Sequence, residues 1–337
     1  MAILVTGGAG YIGSHTVRRL RELGRSVVVL DSLESGHAAA VVDAPLVVGN
    51  IADDRLVPAI VAEHHVDAVV HFAGYKAAGE SMRQPGRYFV NNVAGTARLI
   101  DTLQRCGVGR LVFSSSCAVY GTPEGLPVGE DQPVRPESPY GESKAAVERM
   151  LSWFGCCHGM LSVSLRYFNA AGAAEDASIG EDPTQTMNLI PLVMQALLGR
   201  RPPVQILGTD YPTPDGTAIR DYVHVEDLAD AHVRALDYLA EEGQTTTINV
   251  GTGVGASVRE VLAAAEHTVG RPVPAEDAPR RAGDPVALFA DTTLARELLD
   301  WHAQRDLPDI VASAWRWHAG HPDGYTAGAP IGAADHT

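Results

Sequence analysis

Tyr140 and Lys144 lie four residues apart in Ser138-Pro139-Tyr140-Gly141-Glu142-Ser143-Lys144. Pro139 stands at a favourable helix start, so Tyr140 opens a helix and the two side chains share one face. A free tyrosine has a pKa near ~10, and only about a thousandth of it is phenolate at pH 7. Bringing it to about 7 takes roughly 4 kcal/mol of preferential stabilisation of the anion. One exposed ion pair supplies about 0–1 kcal/mol. A lysine in a low-dielectric cleft beside a second cation can supply more. The pair therefore reads as a base acting on a hydroxyl, with a second positive group as part of that base. Ser114-Ser115-Ser116 ends the apolar run Leu111-Val112-Phe113, and Ser116 can bond the same substrate oxygen and relay its proton. Taken alone, Tyr-x-x-x-Lys is most often a face of an amphipathic helix.

What must position this pair begins at the N-terminus. Ile3-Leu4-Val5 reads as a buried parallel strand, with glycines at 7, 10 and 13 after it. Ile12, His15, Thr16, Val17, Leu20 and Leu23 then recur at helical spacing until Gly24. A strand, a glycine turn and a helix N-terminus form a site for pyrophosphate, because the first N–H groups are free and glycine lets the backbone approach. Val27-Val28-Val29-Leu30 gives a second strand ending at Asp31. A carboxylate there can accept bonds from both ribose hydroxyls and repels a 2′-phosphate, so NAD is expected over NADP. A glycine triplet alone fits an ordinary strand–turn–helix; the acid 18 residues past Gly13 narrows it.

The remaining elements alternate. Strands are expected at Leu46-Val47-Val48, Ala68–Phe72, Leu111–Phe113 and Leu161–Leu165, and helices over 54–64, about 88–105 and from Tyr140. This is the rhythm of an α/β doubly wound parallel sheet of Rossmann-like, NAD-binding type, with ligands at the carboxyl ends of its strands. After about residue 168 the rhythm breaks. Residues 173–186 and 208–218 read as loops, helices fall near 188–199, 226–240, 257–268 and 308–319, and short strands at 204–207 and 246–250. The expected organisation is a first domain over 1–168 and a smaller α/β part over 169–320 that closes over the cofactor. Return of short segments to the first domain is allowed for. Residues 321–337 read as a tail without periodicity. No internal repeat is seen.

The chain has 337 residues and a net charge of −15, which disfavours a nucleic-acid surface. No apolar run approaches membrane-spanning length, and no basic segment precedes a long apolar core, so neither a membrane partner nor a secretory signal is expected. Cys106, Cys117, Cys156 and Cys157 have neither disulfide nor zinc spacing, which suits a reduced cytoplasmic protein. The scattered histidines suggest no metal, and His64-His65 reads as a solvated helix end.

These residues resemble the extended short-chain dehydrogenase/reductase superfamily, and within it the UDP-glucose 4-epimerase (UDP-galactose 4-epimerase) family, over nearly the whole chain. The likeness is carried by Val5 through His15, His71 through Ala77, Asn91-Asn92-Val93, Phe113 through Ser116, Ser138 through Gly141, Leu165 through Asn169 and Arg220 through Val225. Gly208 through Thr217 and Ala278 through Asp284 are especially like that family. The resemblance implies Tyr140 as proton acceptor, Lys144 as its electrostatic partner and ribose ligand, and Ser116 as a substrate contact. It implies Tyr11 and Ile12, with Gly7, Gly10 and Gly13, along the pyrophosphate. Asp31, Ser32, Leu33, Glu34, Ser35 and Gly36 would lie on the adenosine side, with Asn50 and Ile51 at the adenine edge. Phe72, Ala73, Gly74, Tyr75, Lys76, Asn91, Ser114 and Phe168 would hold the rest of NAD. The UDP-sugar residues would be Asn169, Asn188, Leu189, Gln205, Ile206, Leu207, Arg220, Arg281 through Asp284, and Leu288. Two arginines suit a diphosphate through paired N–H bonds; either alone reads as a surface charge.

The implied activity is NAD-dependent interconversion of UDP-glucose and UDP-galactose through a 4-keto sugar. The loop from Asp31 to Gly49 is shorter than in the family, and Asn50 replaces the usual Asp. Leu288 stands where a bulky tyrosine is associated with excluding 2-acetamido sugars; leucine is shorter and lacks the hydroxyl, so the resemblance leaves room for UDP-N-acetylglucosamine and UDP-N-acetylgalactosamine as further substrates. The alternatives are an epimerase of another UDP-sugar (a pentose or uronic acid), a nucleotide-sugar 4,6-dehydratase, or a non-catalytic NAD-sensing protein. Dehydratases typically carry Asp-Glu where Cys117-Ala118 stands, and the sensors commonly lose the Tyr-Lys pair. A homodimer through helices near 88–105 and 141–155 is implied, using the apolar set Ala145, Ala146, Val147, Met150, Leu151, Trp153 and Phe154, which could equally be core alone.

Overall fold

The structure is a computed structural model that describes residues 1–325 except 185, 242 and 282. Its main sheet has seven parallel strands in the order β10-β6-β5-β4-β1-β2-β3. They are β1 (Ala2–Thr6), β2 (Val27–Asp31), β3 (Leu46–Val48), β4 (Val66–His71), β5 (Arg110–Ser114), β6 (Leu161–Tyr167) and β10 (Thr246–Val250). Alternate residues of each strand feed two cores. Val5, Val27, Val29, Val70 and Val112 pack on one face against α1 (Tyr11–Glu22), α8 (Val225–Ala240) and α10 (Thr293–Leu299). Leu4, Val28, Leu30, Val69, Leu111 and Phe113 pack on the other against α2 (Leu56–His64), α5 (Thr96–Arg105) and α6 (Pro139–His158). Burial on both faces is why these strands read as continuous apolar runs. Strand order reverses between β1 and β4, and a crevice opens at such a switch point.

A smaller unit carries β7 (Asn169–Ala171), β9 (Ile219–His224), β11 (Gly255–Ser257) and β13 (Ala287–Leu288) in one sheet, and β8 (Val204–Leu207) with β12 (Ala275–Ala278) in another. Its core joins α7 (Leu189–Leu197), α9 (Val258–Val269) and α11 (Leu307–Gly320). Strand β9 escapes a periodicity reading because Arg220 and Asp221 interrupt its apolar residues. Asp221 is nonetheless buried, its carboxylate accepting from the N–H groups of Thr252, Gly253 and Ala290 and from the Thr252 hydroxyl.

Residues 225–240 and 246–250 are segments after 168 that lie with the first sheet: β10 extends the main sheet beside β6, and α8 packs on α1. Ile248 and Val250 bury there, and the long connection a parallel pair needs is available. The helix expected at 88–105 starts earlier, at α4 (Pro85–Tyr88) after the short α3 (Ala78–Ser81), and widens to a π-helix over Phe89–Gly95. Such widenings recur at functional sites. Within the expected tail, Asp323 pairs with Arg200 at 2.9 Å and the Tyr325 hydroxyl bonds both backbone groups of Gly180. Residues 326–337 lie outside the described residues.

Candidate active site

The glycines after β1 answer to specific close approaches. Gly7 has φ 72°, and a Cβ on it would meet the Ala73 nitrogen at 2.5 Å. A Cβ on Gly13 would meet the Gly7 carbonyl at 2.2 Å. Helix α1 starts from Gly10 with no side-chain cap and no acidic residue in its first turn. Its first N–H groups are thus left for an anion. At the end of β2, Asp31 is held by the N–H of Ala9 on Oδ2 and of Leu33 on Oδ1, both at 2.9 Å. Room for close backbone approach, open N–H groups and a fixed carboxylate together fit a dinucleotide.

A single cleft gathers most of the expected cofactor side. Gly7, Gly10, Tyr11, Ile12 and Gly13 line it with Asp31, Ser32, Glu34, Ser35, Gly36, Asn50 and Ile51. Phe72 through Lys76, Asn91, Ser114, Tyr140 and Lys144 line its other reach. Leu33 lies between Ser32 and Glu34 of this lining, and Phe168 follows Tyr167, which lines it too. Leu33 sits at φ 59° in the turn closed on Asp31. Phe168 is buried in an apolar cluster with Ala145 and Leu288.

Residues beyond the expected set complete this cleft. His37, Gly180, Glu181, Asp182, Thr186 and Tyr325 line it too. The His37 ring stacks on Tyr325 at 4.7 Å, and its Nε2 lies 2.6 Å from Asp182, off a good hydrogen-bond direction. Buried Glu181 accepts from Lys76 at 3.3 Å and from Asn188 at 2.8 Å, joining a cofactor-side residue to a substrate-side one. Asn92 was legible only as a neighbour of Asn91. Its amide brackets the Tyr75 backbone and reaches the Ser143 hydroxyl, fixing the loop after β4 to α6.

The reactive residues meet where α6 crosses the end of β5. Ser138 caps α6 by accepting from the Gly141 N–H at 3.1 Å, and Pro139 follows as its first residue. A Cβ on Gly141 would meet the Ala118 carbonyl at 2.5 Å, so glycine sets how near the helix comes. Ser116 stands just past β5, its hydroxyl accepting from the Ala118 N–H at 3.2 Å. Lys144 donates to the Ser114 carbonyl at 2.7 Å, with its ammonium 4.8 Å from the Phe113 ring centre and 5.9 Å from that of Tyr140. Burial lowers Lys144 to about 8, and Glu148 opposes the fall. Burial raises the Tyr140 phenol well above the ordinary tyrosine value, Tyr167 adds to the rise, and Ser116 works against it. Burial and Tyr167 thus work against the fall toward 7 expected from the sequence, and a positive charge beside the phenol would work for it.

The substrate-side residues gather around β9. Leu288 pairs in register with Arg220. Asp284 sits 4.0 Å from Arg220 and takes two bonds from Arg281, at 2.8 and 3.0 Å. Arg220 is also near enough to Cys117, next to Ser116, to pull down a thiol that burial pushes up to about 12. Asn169 pairs with Tyr222 of β9. Asn188 and Leu189 open α7, and Gln205 through Leu207 lie on β8, which α7 packs against. Ile206 is buried in the core, so only its backbone is offered to a ligand. Among the described residues no three His, Cys, Asp or Glu side chains group as a metal site.

Residues 3–251 match the model of the NAD dependent epimerase/dehydratase family. The chain belongs to that family. Within it, the chain is 48% identical over 327 residues to a UDP-glucose 4-epimerase of Halalkalibacterium halodurans, covering 97% of this chain and 98% of the relative. A solved UDP-glucose 4-epimerase from Stenotrophomonas maltophila, with bound NAD and formylated UDP-arabinopyranose, is similar at TM-score 0.93 and 42% identity, covering 96% and 99%. One from Brucella ovis in complex with NAD is similar at TM-score 0.92 and 44% identity, covering 94% and 97%. The family's name agrees with a cofactor cleft that ends at a tyrosine and a lysine.

Proposed function

We propose that this protein is a UDP-glucose 4-epimerase that interconverts UDP-glucose and UDP-galactose with NAD. The observation that carries the reading is the convergence of Tyr140, Lys144 and Ser114 on the glycine-lined cleft, with Arg220 beside the neighbouring Ser116 segment. NAD, when bound, supplies the acceptor and later the donor of the C4 hydride and a positive ring near the phenol. Tyr140 removes the proton of the sugar 4-hydroxyl, and Ser116 bonds the same oxygen. Lys144, held by the Ser114 carbonyl, keeps a positive charge on that side of the phenol. Arg220 and Arg281 grip the diphosphate while the 4-keto sugar turns its other face, so binding energy on UDP holds a loosely held sugar. Tyr140 then returns the proton. The substrate side falls mainly within 169–320, with 225–250 serving the first domain.

Leu288 beside Arg220 supports acceptance of N-acetylated sugars, since it is shorter than tyrosine and lacks its hydroxyl. Phe89, Val90 and Trp153 are 40%, 70% and 69% exposed on the packed helices around 85–105 and α6, which supports a homodimer through that face. Sedimentation at twice 35.7 kDa tests it. A cytoplasmic setting is supported by four free cysteines, and among the described residues no helix is long and apolar enough to cross a membrane. The deciding experiment incubates the protein with UDP-galactose without added NADH. UDP-glucose as product supports the reading, a deoxyketo sugar would make it a dehydratase, and an unchanged sugar would count against it.

A further inference from the structure

Three consecutive turns of α6 engage three consecutive serines. Tyr140, Lys144 and Glu148 form one stripe of the helix, spaced four residues apart. Ser116 acts on the Tyr140 phenol, Lys144 donates to the Ser114 carbonyl at 2.7 Å, and the Ser115 hydroxyl donates to Glu148 Oε1 at 2.5 Å. The last of these takes no part in the proton transfer described above.

Glu148 is buried, and Arg166 of β6 holds both its oxygens, Nε to Oε1 at 3.0 Å and Nη2 to Oε2 at 2.7 Å. Arg166 also donates to the Tyr120 hydroxyl at 2.9 Å, and Tyr120 donates to Asn249 Oδ1 at 2.7 Å. Asn249 is held in turn by Glu130 on its N–H at 2.7 Å and by the Val128 carbonyl on its amide at 2.8 Å. The end of β5, the strands β6 and β10, and the loop through 130 thus converge on one carboxylate. An apolar pair of equal volume would fill this space without desolvating two charges, so the ion pair is better understood as setting register than as adding stability.

We propose that Glu148 is a positioning residue for the Tyr140–Lys144–Ser116 centre. Clamped by Arg166 and Ser115, it fixes where α6 stands along the end of β5, and hence the spacing of phenol, ammonium and serine. Helical rise is about 1.5 Å per residue, and a misplacement near 1 Å can cost about a hundredfold in rate. The same carboxylate is the group that holds up the Lys144 charge against burial. The other ionisable groups near this Lys144–Glu148 pair are His71 of β4 and Tyr140, which face Lys144, and Arg166, Tyr120 and Glu130 of the network itself; burial favours neutral His71.

The inference rests on the epimerase reading, which the wild-type enzyme tests separately by its turnover of UDP-galactose. Ser115→Ala removes one clamp and leaves the carboxylate; Glu148→Gln keeps the shape and removes the charge. In NAD-loaded enzyme, Ser115→Ala is expected to lower kcat about tenfold, with KM and NAD content within about twofold of wild type. Glu148→Gln is expected also to move the alkaline limb of the kcat profile down by about one pH unit, because Lys144 loses its nearby anion. Wild-type kcat in Ser115→Ala overturns the proposal, as does a loss confined to melting temperature or NAD content. If Glu148→Gln fails to fold, Ser115→Ala decides alone.

Discussion

A phenol is a poor base until its surroundings favour the anion, and here the protein groups alone do the opposite. Burial raises Tyr140, and the lysine one turn away is turned to the Ser114 carbonyl. A positive ring beside the phenol would favour its anion. Tyr140→Phe keeps the ring and its packing while removing the hydroxyl. It is expected to lower kcat by about 10²–10⁴-fold, the usual contribution of a positioned acid–base group. Sugar analysis with a parallel measurement of bound NAD checks this; near-wild-type turnover with NAD in place would remove Tyr140 from the mechanism.

At the scale of elements, the β1–α1 turn is the least forgiving junction. Gly13→Ala would set a methyl 2.2 Å from the Gly7 carbonyl and 2.9 Å from Gly8 Cα, both backbone atoms of the turn itself. Overpacking of this kind costs about 1–3 kcal/mol, so NAD content after purification is expected to fall about tenfold or more. Unchanged NAD content and stability would mean the turn has slack that its geometry denies. The π-helical turn at Phe89–Gly95 belongs to this scale as well. It places Asn91 on the cleft while Asn92 ties Tyr75 to α6, a division of labour between adjacent residues.

Across the described residues, burial favours the neutral form of five histidines. Burial lowers His15, His232 and His318 to about 4, and His71 and His224 to about 3. The unfolded chain, with values near ~6.5, binds more protons than the folded one between these limits. Stability therefore rises with pH across that window, is complete above about 6.5, and is lost as pH falls through it. At pH 5 each histidine forfeits up to about 2 kcal/mol, against a typical total of about 5–15 kcal/mol. The urea midpoint is expected to drop steeply between pH 7 and pH 5, and equilibrium unfolding at the two pH values checks it. Equal midpoints would show that these histidines are protonated or exposed in the folded state.

Much of this protein was determined by local sequence. Ile3-Leu4-Val5 and the other apolar runs declare buried parallel strands, the glycines at 7 and 13 mark close approaches, and Tyr140 with Lys144 need only a helix to share a face. Each depends on neighbours within a few residues, so periodicity and spacing carry it. Tertiary structure decided the rest. That β10 joins the first sheet, that Phe168 packs in one cluster with Leu288, and that Glu181 and Tyr325 reach the cofactor side all follow from contacts between distant segments. So does the upward push on the Tyr140 phenol, which depends on how completely the fold buries it. Burial and long-range packing are properties of the assembled chain, and no single stretch of sequence encodes them.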